Sequence, residues 1–217
     1  MSQRILVINP NSNAAVTAGL DRAVDGLRFA DGPAIECVTL QEGPRGIETQ
    51  RHVDAVVEPL CTLIAREQGA CDAFVIACFG DPGLDSAKEV TPRPVFGICQ
   101  AGVTAALNHG EKVGILTNIA ADVNPGMRYM RALGIEARIA GIEPIGIPVT
   151  GLDDAEPSRK ALVAAARRLK EKGAEVLVTG CAGMTPYKDA IEHASGLRVI
   201  DPTQAAVGMA LAAVRQS

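Results

Sequence analysis

Several residue types and patterns are scarce in this 217-residue chain, and each scarcity removes a class of function. Aromatic residues make up 3% and tryptophan is absent, so the interior must be built from Ala, Val, Ile and Leu. There is no basic run. The 21 Lys and Arg against 25 Asp and Glu leave a net charge of −4 spread along the chain, which argues against a nucleic-acid or anionic-membrane surface. No apolar stretch approaches the roughly 18 continuous residues of a membrane span. The N-terminal Met-Ser-Gln-Arg leads into a short apolar run, Ile5 to Ile8. That run is too short for a secretory signal, so the cytoplasm is the expected location. The six cysteines, Cys37, Cys61, Cys71, Cys78, Cys99 and Cys181, include no Cys-x-x-Cys pair, which argues against a structural zinc site. A chain of this size without a secretion signal does not need disulfides, and all six are expected as free thiols. No Gly-x-Gly-x-x-Gly follows the first apolar run, against a dinucleotide enzyme. No Gly-x-Ser-x-Gly elbow exists, against a serine hydrolase. The three histidines, His52, His109 and His193, are scattered over helical stretches and read as solvated.

What is present is a regular alternation. Hydrophobic residues make up 47% and charged residues 21%, enough for a substantial core. Short apolar runs predict strands at Ile5–Asn9, Ile35–Leu40, Ala73–Cys78, Val95–Ile98, Lys112–Thr117, Glu136–Ala140, Glu175–Thr179 and Arg198–Ile200. Helical patterns fall at Ala14–Arg28, Gln50–Gln68, Gly83–Glu89, Ala101–His109, Asn124–Leu133, Pro157–Lys172, Pro186–Ala194 and Thr203–Arg215. Continuous rather than alternating apolar runs indicate strands buried on both faces, and strand–helix alternation indicates parallel sheets of an α/β fold. Gly141 to Glu156, with Pro144, Pro148 and Gly151, reads as a long loop of the kind that carries function.

The chain also repeats itself. Ile-Leu-Val-Ile-Asn-Pro at 5–10 opens the first half and Val-Gly-Ile-Leu-Thr-Asn at 113–118 opens the second. Later in each half a strand ends in cysteine: Ala-Phe-Val-Ile-Ala-Cys-Phe-Gly-Asp-Pro-Gly at 73–83, and Glu-Val-Leu-Val-Thr-Gly-Cys-Ala-Gly-Met-Thr-Pro at 175–186. The expectation is two pseudo-symmetric α/β lobes with mainly parallel sheets and an active site in the cleft between them. One lobe would be 1–98 with the C-terminal helix 203–217, the other 99–202. Each would offer one cysteine at the C-terminal edge of its sheet, where open α/β sheets bind ligands.

Cys78 precedes Gly80, Pro82 and a helix; Cys181 precedes Gly183, Pro186 and a helix. A helix N-terminus and its free N–H groups lower a thiol pKa, so both thiols are expected to be activated. A buried cysteine is usually only a small hydrophobe. Two at matching positions in two matching halves point instead to paired acid/base chemistry. A thiolate on one face of a carbon takes a proton while a thiol on the other face gives one, and the reverse reaction swaps the roles. The carbon must adjoin a carbonyl, so that charge moves onto an oxygen held by N–H groups. Cys37, Cys61 and Cys71 read as buried hydrophobes, and Cys99 as a weaker third candidate. Residues 9–13, Asn-Pro-Asn-Ser-Asn, join the first strand to the first helix. Ser12 or Asn13 should cap that helix, and the turn should present amides and free N–H groups to a carbonyl or carboxylate. Thr117 and Asn118 hold the related place in the second half. Asp81 is expected to cap the helix after Cys78 and point away from the thiol; Asp201 and Glu48 are candidates for organising the pocket.

These segments together resemble the hydantoin and allantoin racemases of the aspartate/glutamate racemase superfamily. The matching motifs are Val-Ile-Asn-Pro-Asn-Ser at 7–12, Ile-Ala-Cys-Phe-Gly-Asp-Pro-Gly-Leu at 76–84 and Gly-Cys-Ala-Gly-Met at 180–184. Pro-Val-Phe-Gly-Ile at 94–98, Ile-Pro-Val at 147–149 and Val-Ile-Asp at 199–201 join them, so the likeness runs nearly end to end. The resemblance implies a cofactor- and metal-free racemase, with a small-molecule substrate and commonly a homo-oligomeric state. It implies Cys78 and Cys181 as the acid/base pair, with substrate contacts from Asn9, Pro10, Asn11, Ser12, Phe79, Gly80, Thr117, Asn118, Ala182 and Gly183. The expected substrate is a 5-substituted hydantoin or allantoin. The chain departs from the family at Arg45-Gly46-Ile47-Glu48, where Pro-Ser-Ile-Glu is frequent, at Asn118, where a second threonine is usual, and at Ala182, where glycine is common. It is also somewhat short for the family.

Alternatives remain at this point. A decarboxylase branch of the superfamily keeps only the second cysteine, so the pair argues against it. A maleate-type cis-trans isomerase also uses two cysteines. Aspartate and glutamate racemases commonly carry an acidic residue where Asn9 stands. A non-catalytic two-lobed binding protein would leave both cysteines inert.

Overall fold

The computed structural model describes residues 3–152 and 154–216; Met1, Ser2, Asp153 and Ser217, which fall within the N-terminal, loop and C-terminal segments named above, lie outside the described residues. The chain divides into two compact units. One runs to Ala101 and resumes at Thr203; the other is Gly102–Pro202.

The first unit is built on β1 (Arg4–Asn9), β2 (Ala34–Thr39), β3 (Ala73–Ile76) and β4 (Val95–Gly97), ordered β2-β1-β3-β4. The second repeats the plan with β5 (Val113–Thr117), β6 (Ile139–Pro144), β7 (Val176–Thr179) and β8 (Arg198–Ile200), ordered β6-β5-β7-β8. Every strand pair is parallel. The helices are α1 (Ala14–Ala23), α2 (Gln50–Ala55), α3 (Val57–Glu67), α4 (Leu84–Glu89), α5 (Ile98–Ala106), α6 (Val123–Ala132), α7 (Ala155–Glu171), α8 (Lys188–Ser195) and α9 (Pro202–Arg215). Among the described residues, no helix is long and apolar enough to cross a membrane.

Parallel strands need crossover helices, and those helices cover both faces of the sheet. This is why Ile5, Leu6, Val7 and Ile8 are all buried, odd and even positions alike. In the first unit Leu6, Ile8, Phe74 and Ile76 pack with Leu60 and Ile64 of α3. In the second, Leu116 and Leu177 pack with Leu162 and Leu169 of α7 and Ile191 of α8. Each such side chain contributes on the order of 1.5–3 kcal/mol by leaving water. With almost no aromatic mass, the core is assembled from many small aliphatic increments.

Besides shifts of a few residues, such as the strand expected to reach Cys78 that ends at Ile76 and the helix expected from Pro186 that starts at Lys188, four elements differ from expectation. The first helix stops at Ala23 and continues only as a 3-10 turn, Asp25–Leu27. The helix expected over Gln50–Gln68 breaks at Val56 into α2 and α3. α5 begins at Ile98, not Ala101, which moves Cys99 from a strand end into the first helical turn. The strand expected at Glu136–Ala140 is a 3-10 turn, Glu136–Arg138, followed by β6 at Ile139–Pro144, so the expected loop loses its first residues to the sheet.

β6 was hidden by Glu143, a charged residue inside a strand. Its side chain is only 10% exposed, and it is held by Arg168 of α7 and by Lys172, the residue immediately after that helix. The Arg168 Nε contact is 2.8 Å. Burial alone would push the Glu143 carboxyl up, but the hydrogen bonds and charges of Lys172 and Arg168 outweigh it and hold it below the usual carboxylate range. The pair therefore stabilises the second unit at neutral pH and stops doing so as pH falls through that lowered value.

Candidate active site

The two units bring matching atoms to the C-terminal edges of their sheets. β3 ends at Ile76 and β7 at Thr179, and in each case the cysteine is the second residue beyond. The exits are fixed by equivalent bonds. The Ala77 N–H donates to the Ile8 carbonyl at 2.8 Å, and the Gly180 N–H to the Leu116 carbonyl at 2.7 Å. The neighbouring strand ends match too: Leu40 N–H to Asn9 O and Ile145 N–H to Thr117 O, both 2.9 Å. In the first unit Asn9, its turn and the Cys78 exit share one edge; in the second, Thr117 and the Cys181 exit do.

The Asn9–Asn13 turn is a closed polar network. The fully buried Asn9 amide donates to Asn11 Oδ1 (3.1 Å), the Asn13 carbonyl (3.1 Å) and Thr17 Oγ1 (3.0 Å). Its oxygen accepts the Asn11 N–H at 3.2 Å. Asn11 Oδ1 accepts the Asn13 N–H at 2.9 Å, and Thr17 shares a 2.5 Å hydrogen bond with Thr39. Asn13 caps α1, accepting the Ala15 N–H at 3.1 Å, as expected of one of the two candidate caps. The expectation of free N–H groups fails here. The Asn11 and Asn13 N–H groups go to side chains within the turn, the Ser12 N–H goes to the Pro44 carbonyl at 2.9 Å, and Pro10 has none. Asn9, Pro10 and Asn11 are buried, so they shape the edge; Ser12 is half-buried.

Beyond β3, Cys78 and Phe79 are half-buried and Gly80 is exposed. The Asp81 N–H closes the turn onto the Cys78 carbonyl at 3.0 Å. α4 starts only at Leu84, behind a left-handed Gly83 (φ 67°), so Cys78 does not sit at a helix start as expected. Nor does Asp81 cap α4. Its carboxylate, 5% exposed, accepts the N–H groups of Cys99 and Gln100, each at 2.8 Å, and so caps α5. Cys99 is buried, and burial pushes its thiol well up, with the charges of Asp81 and Cys78 adding to the rise. Cys61 and Cys71 are buried as well, and their thiols are raised chiefly by burial. Cys37 is half-buried in β2, and burial pushes its thiol to about 12. Glu48 lies exposed ahead of α2.

In the second unit Thr117 Oγ1 donates to Asp122 Oδ2 at 2.9 Å, and the same oxygen accepts the Ile119 N–H at 3.1 Å. The buried Asn118 side-chain amide donates to the Ile147 carbonyl at 3.1 Å, while the Asn118 main-chain carbonyl accepts the N–H groups of Gly146 (2.9 Å) and Ile147 (3.2 Å). Asn118 thus anchors the segment after β6. The far end of that segment is held at the Leu152 carbonyl, which accepts the Tyr187 hydroxyl at 2.7 Å and the Ser158 hydroxyl at 3.3 Å. Cys181 is the residue before a 3-10 turn, Ala182–Tyr187, inside which Pro186 lies. Ala182 is buried and Gly183 half-buried.

The expected lowering at Cys181 is reversed. Burial pushes its thiol up to about 11; the Gly183 N–H opposes the rise and the Asp122 charge adds to it. Cys181 is therefore a thiol at neutral pH, holding a proton, and a strong base once that proton is gone. This sets an expected result. Site-resolved iodoacetamide labelling of Cys181 should accelerate about tenfold per pH unit from pH 8 to 10, because the thiolate is the reactive form. The rate should level near 11; a plateau near the ordinary cysteine value of about 8.5 would contradict the burial account.

Asp122, Thr185 and Tyr187 were not singled out in the sequence. Asp122 had one usable signal, an acidic residue three positions after Ile119 at the start of a helical run. Thr185 and Tyr187 had none.

Comparison with known proteins gives the arrangement its relatives. The family model described as Asp/Glu/Hydantoin racemase matches residues 5–210. A hydantoin racemase of Paenarthrobacter aurescens is 34% identical over 216 residues, spanning 95% of this chain and 89% of that protein. The structure of allantoin racemase from Klebsiella pneumoniae superposes with a TM-score of 0.91 at 29% identity, covering 99% of this chain and 89% of the other. The allantoin racemase from Pseudomonas fluorescens superposes at 0.92 and 25% identity, covering 99% and 92%.

Proposed function

Since the chain belongs to the Asp/Glu/hydantoin racemase family and is an isomerase of the racemase type, we propose that it racemises a hydantoin ring at C5, with Cys78 and Cys181 as the two acid/base groups. The substrate is a 5-substituted hydantoin or allantoin, which is itself a hydantoin carrying a ureido group at C5. The observation that carries this reading is the equivalence of the two cysteines, each the second residue past the third-position strand of a sheet with the same order.

The chemistry balances without a cofactor. One cysteine, as thiolate, takes the C5 proton and becomes a thiol. The electron pair of the broken C–H bond moves into the adjacent C4 carbonyl, giving an enolate oxygen. The other cysteine, as thiol, gives its proton to the opposite face of C5 and becomes the thiolate. Reversal swaps the roles. The high basicity of the half-buried Cys181 thiolate suits a weakly acidic C–H bond, and positioned proton transfer of this kind contributes about 10²–10⁴-fold. In this reading the main-chain groups of Phe79, Gly80, Ala182 and Gly183 and the Ser12 hydroxyl meet the ring. Asn9, Pro10, Asn11, Thr117 and Asn118 hold the edges on which those groups sit. The direct test follows the optical rotation of single enantiomers of 5-isopropylhydantoin and allantoin with the enzyme. The rotation should decay to zero faster than in buffer; unchanged decay across a panel of C5 substituents would remove the assignment.

A further inference from the structure

Beyond each cysteine the chain makes the same turn. The N–H of the third residue on donates to the cysteine carbonyl: Asp81 to Cys78 and Met184 to Cys181, each at 3.0 Å. Each turn is also tied to the start of the helix that follows the last strand of its own sheet, and in both units the tie is a buried aspartate. In the first unit the aspartate is on the turn. Asp81 reaches the N–H groups of Cys99 and Gln100 in the first turn of α5. In the second unit the parts are exchanged. Asp201, buried immediately before α9, accepts the hydroxyl of Thr185 from the turn at 2.5 Å. Thr185 Oγ1 also lies 2.9 Å from the carbonyl of Ala182, the residue next to Cys181.

The tie at Asp81 is made against local resistance. Asp81 has φ 44°, a left-handed conformation that side chains other than glycine adopt rarely, though Asp more readily than most. Gly97 is shaped around it: a Cβ there would stand 2.3 Å from the Asp81 carboxyl carbon. Capping one helix does not require this geometry, because an Asp or Ser on α5 itself would serve. What the geometry achieves is that one residue grips both the Cys78 carbonyl and a rigid helix.

From this pair of ties we infer that Asp81 and the Thr185–Asp201 pair are positioning residues, each setting the placement of one catalytic cysteine. The inference rests on the two-cysteine reading above. A proton donor must be placed closely, and a misplacement of about 1 Å costs on the order of 100-fold. Loosening one tie therefore disables one face of the reaction and leaves the other face working.

The test measures racemisation and C5 hydrogen–deuterium exchange in D2O for each enantiomer of 5-isopropylhydantoin. Asp81→Gly removes the carboxylate while relaxing the backbone, Asp81→Asn keeps one acceptor, and Thr185→Val removes the hydroxyl at nearly constant shape. Glu143→Gln, which weakens the α7 ion pair, controls for stability. The kcat of Asp81→Gly and Thr185→Val should fall about 10–100-fold with KM within about threefold, and Asp81→Asn should be intermediate. Exchange should outrun racemisation by at least about tenfold for one enantiomer in Asp81→Gly and for the opposite enantiomer in Thr185→Val. If Asp81→Gly does not fold, Asp81→Asn gives the same asymmetry at smaller amplitude. Glu143→Gln should leave both ratios as in wild type. Unchanged ratios in both tie variants, or a shift for the same enantiomer in both, overturns the inference and leaves the aspartates as plain stabilising contacts. A wild-type enzyme that racemises neither hydantoin fails one step earlier, taking the two-cysteine reading and this inference with it.

Discussion

Cys78→Ser and Cys181→Ser should each lower racemisation by about 10³-fold or more, from either enantiomer. A serine hydroxyl is a far weaker acid than a thiol, so neither variant can complete proton delivery on the affected face. The two losses differ in what survives. With Cys78 gone, the enantiomer whose proton Cys181 takes can still be deprotonated, and the proton can return only from Cys181. In D2O that enantiomer picks up deuterium without changing hand. With Cys181 gone, the same holds for the opposite enantiomer. A double variant should lose exchange at both faces. Near-wild-type racemisation in either single variant would mean that its cysteine is a bystander. Cys99→Ser gives the contrast: Cys99 is buried in the first turn of α5, so its loss should cost some stability and leave the exchange pattern alone.

Gly43→Ala should lower stability by about 3 kcal/mol, in the upper range for overpacking, and the thermal midpoint by about 6–12 °C. A Cβ on Gly43 would stand 2.2 Å from the Pro10 carbonyl oxygen and 3.1 Å from Asn11 Cα. Both are backbone atoms, so no side-chain rotation relieves the clash. The Asn9–Asn13 turn must then move, and with it the Ser12 N–H bond to Pro44 and the amide network around Asn9. Activity should fall along with the midpoint. Gly80→Ala is the thermal control, since a Cβ there meets nothing within 4 Å. Its stability should change by no more than the roughly 0.5 kcal/mol typical of open surface positions, which moves the midpoint by at most about 1–2 °C. Differential scanning calorimetry of both variants checks this, and a Gly43→Ala midpoint within a degree of wild type would contradict it.

The sheets were legible in the sequence because strands buried on both faces leave continuous apolar runs, and Ile5–Ile8 and Val113–Leu116 show this plainly. The repeat of the two halves was legible for the same reason, and it carried the cysteine pairing with it. β6 was legible only at its first two residues, Ile139 and Ala140, since its Gly141, Glu143 and Pro144 read as loop. Only Arg168 and Lys172, 25 and 29 residues away, make a charged residue acceptable there. The break at Val56 leaves the helical periodicity intact, so no pattern marks it. At the site, Asn13 as a cap could be read locally. The use of the Ser12 N–H by Pro44, and of Asp81 by Cys99 eighteen residues on, are long-range pairings that no local pattern encodes. The direction of the Cys181 shift was missed because burial was weighed only as a reason for inertness and not as a cause that raises a thiol pKa, and here it is the larger effect.

The most direct test of two sulfurs serving opposite faces of one carbon is the isotopic content at C5 early in the reaction. One enantiomer is incubated in D2O, and recovered substrate and product are compared by proton NMR before about a tenth has turned over. Separate donors predict that the product carries solvent deuterium while the remaining substrate still carries its original hydrogen. A product that keeps the substrate's own hydrogen, or substrate and product that gain deuterium at the same rate, would mean that one group serves both faces, and the account would be wrong.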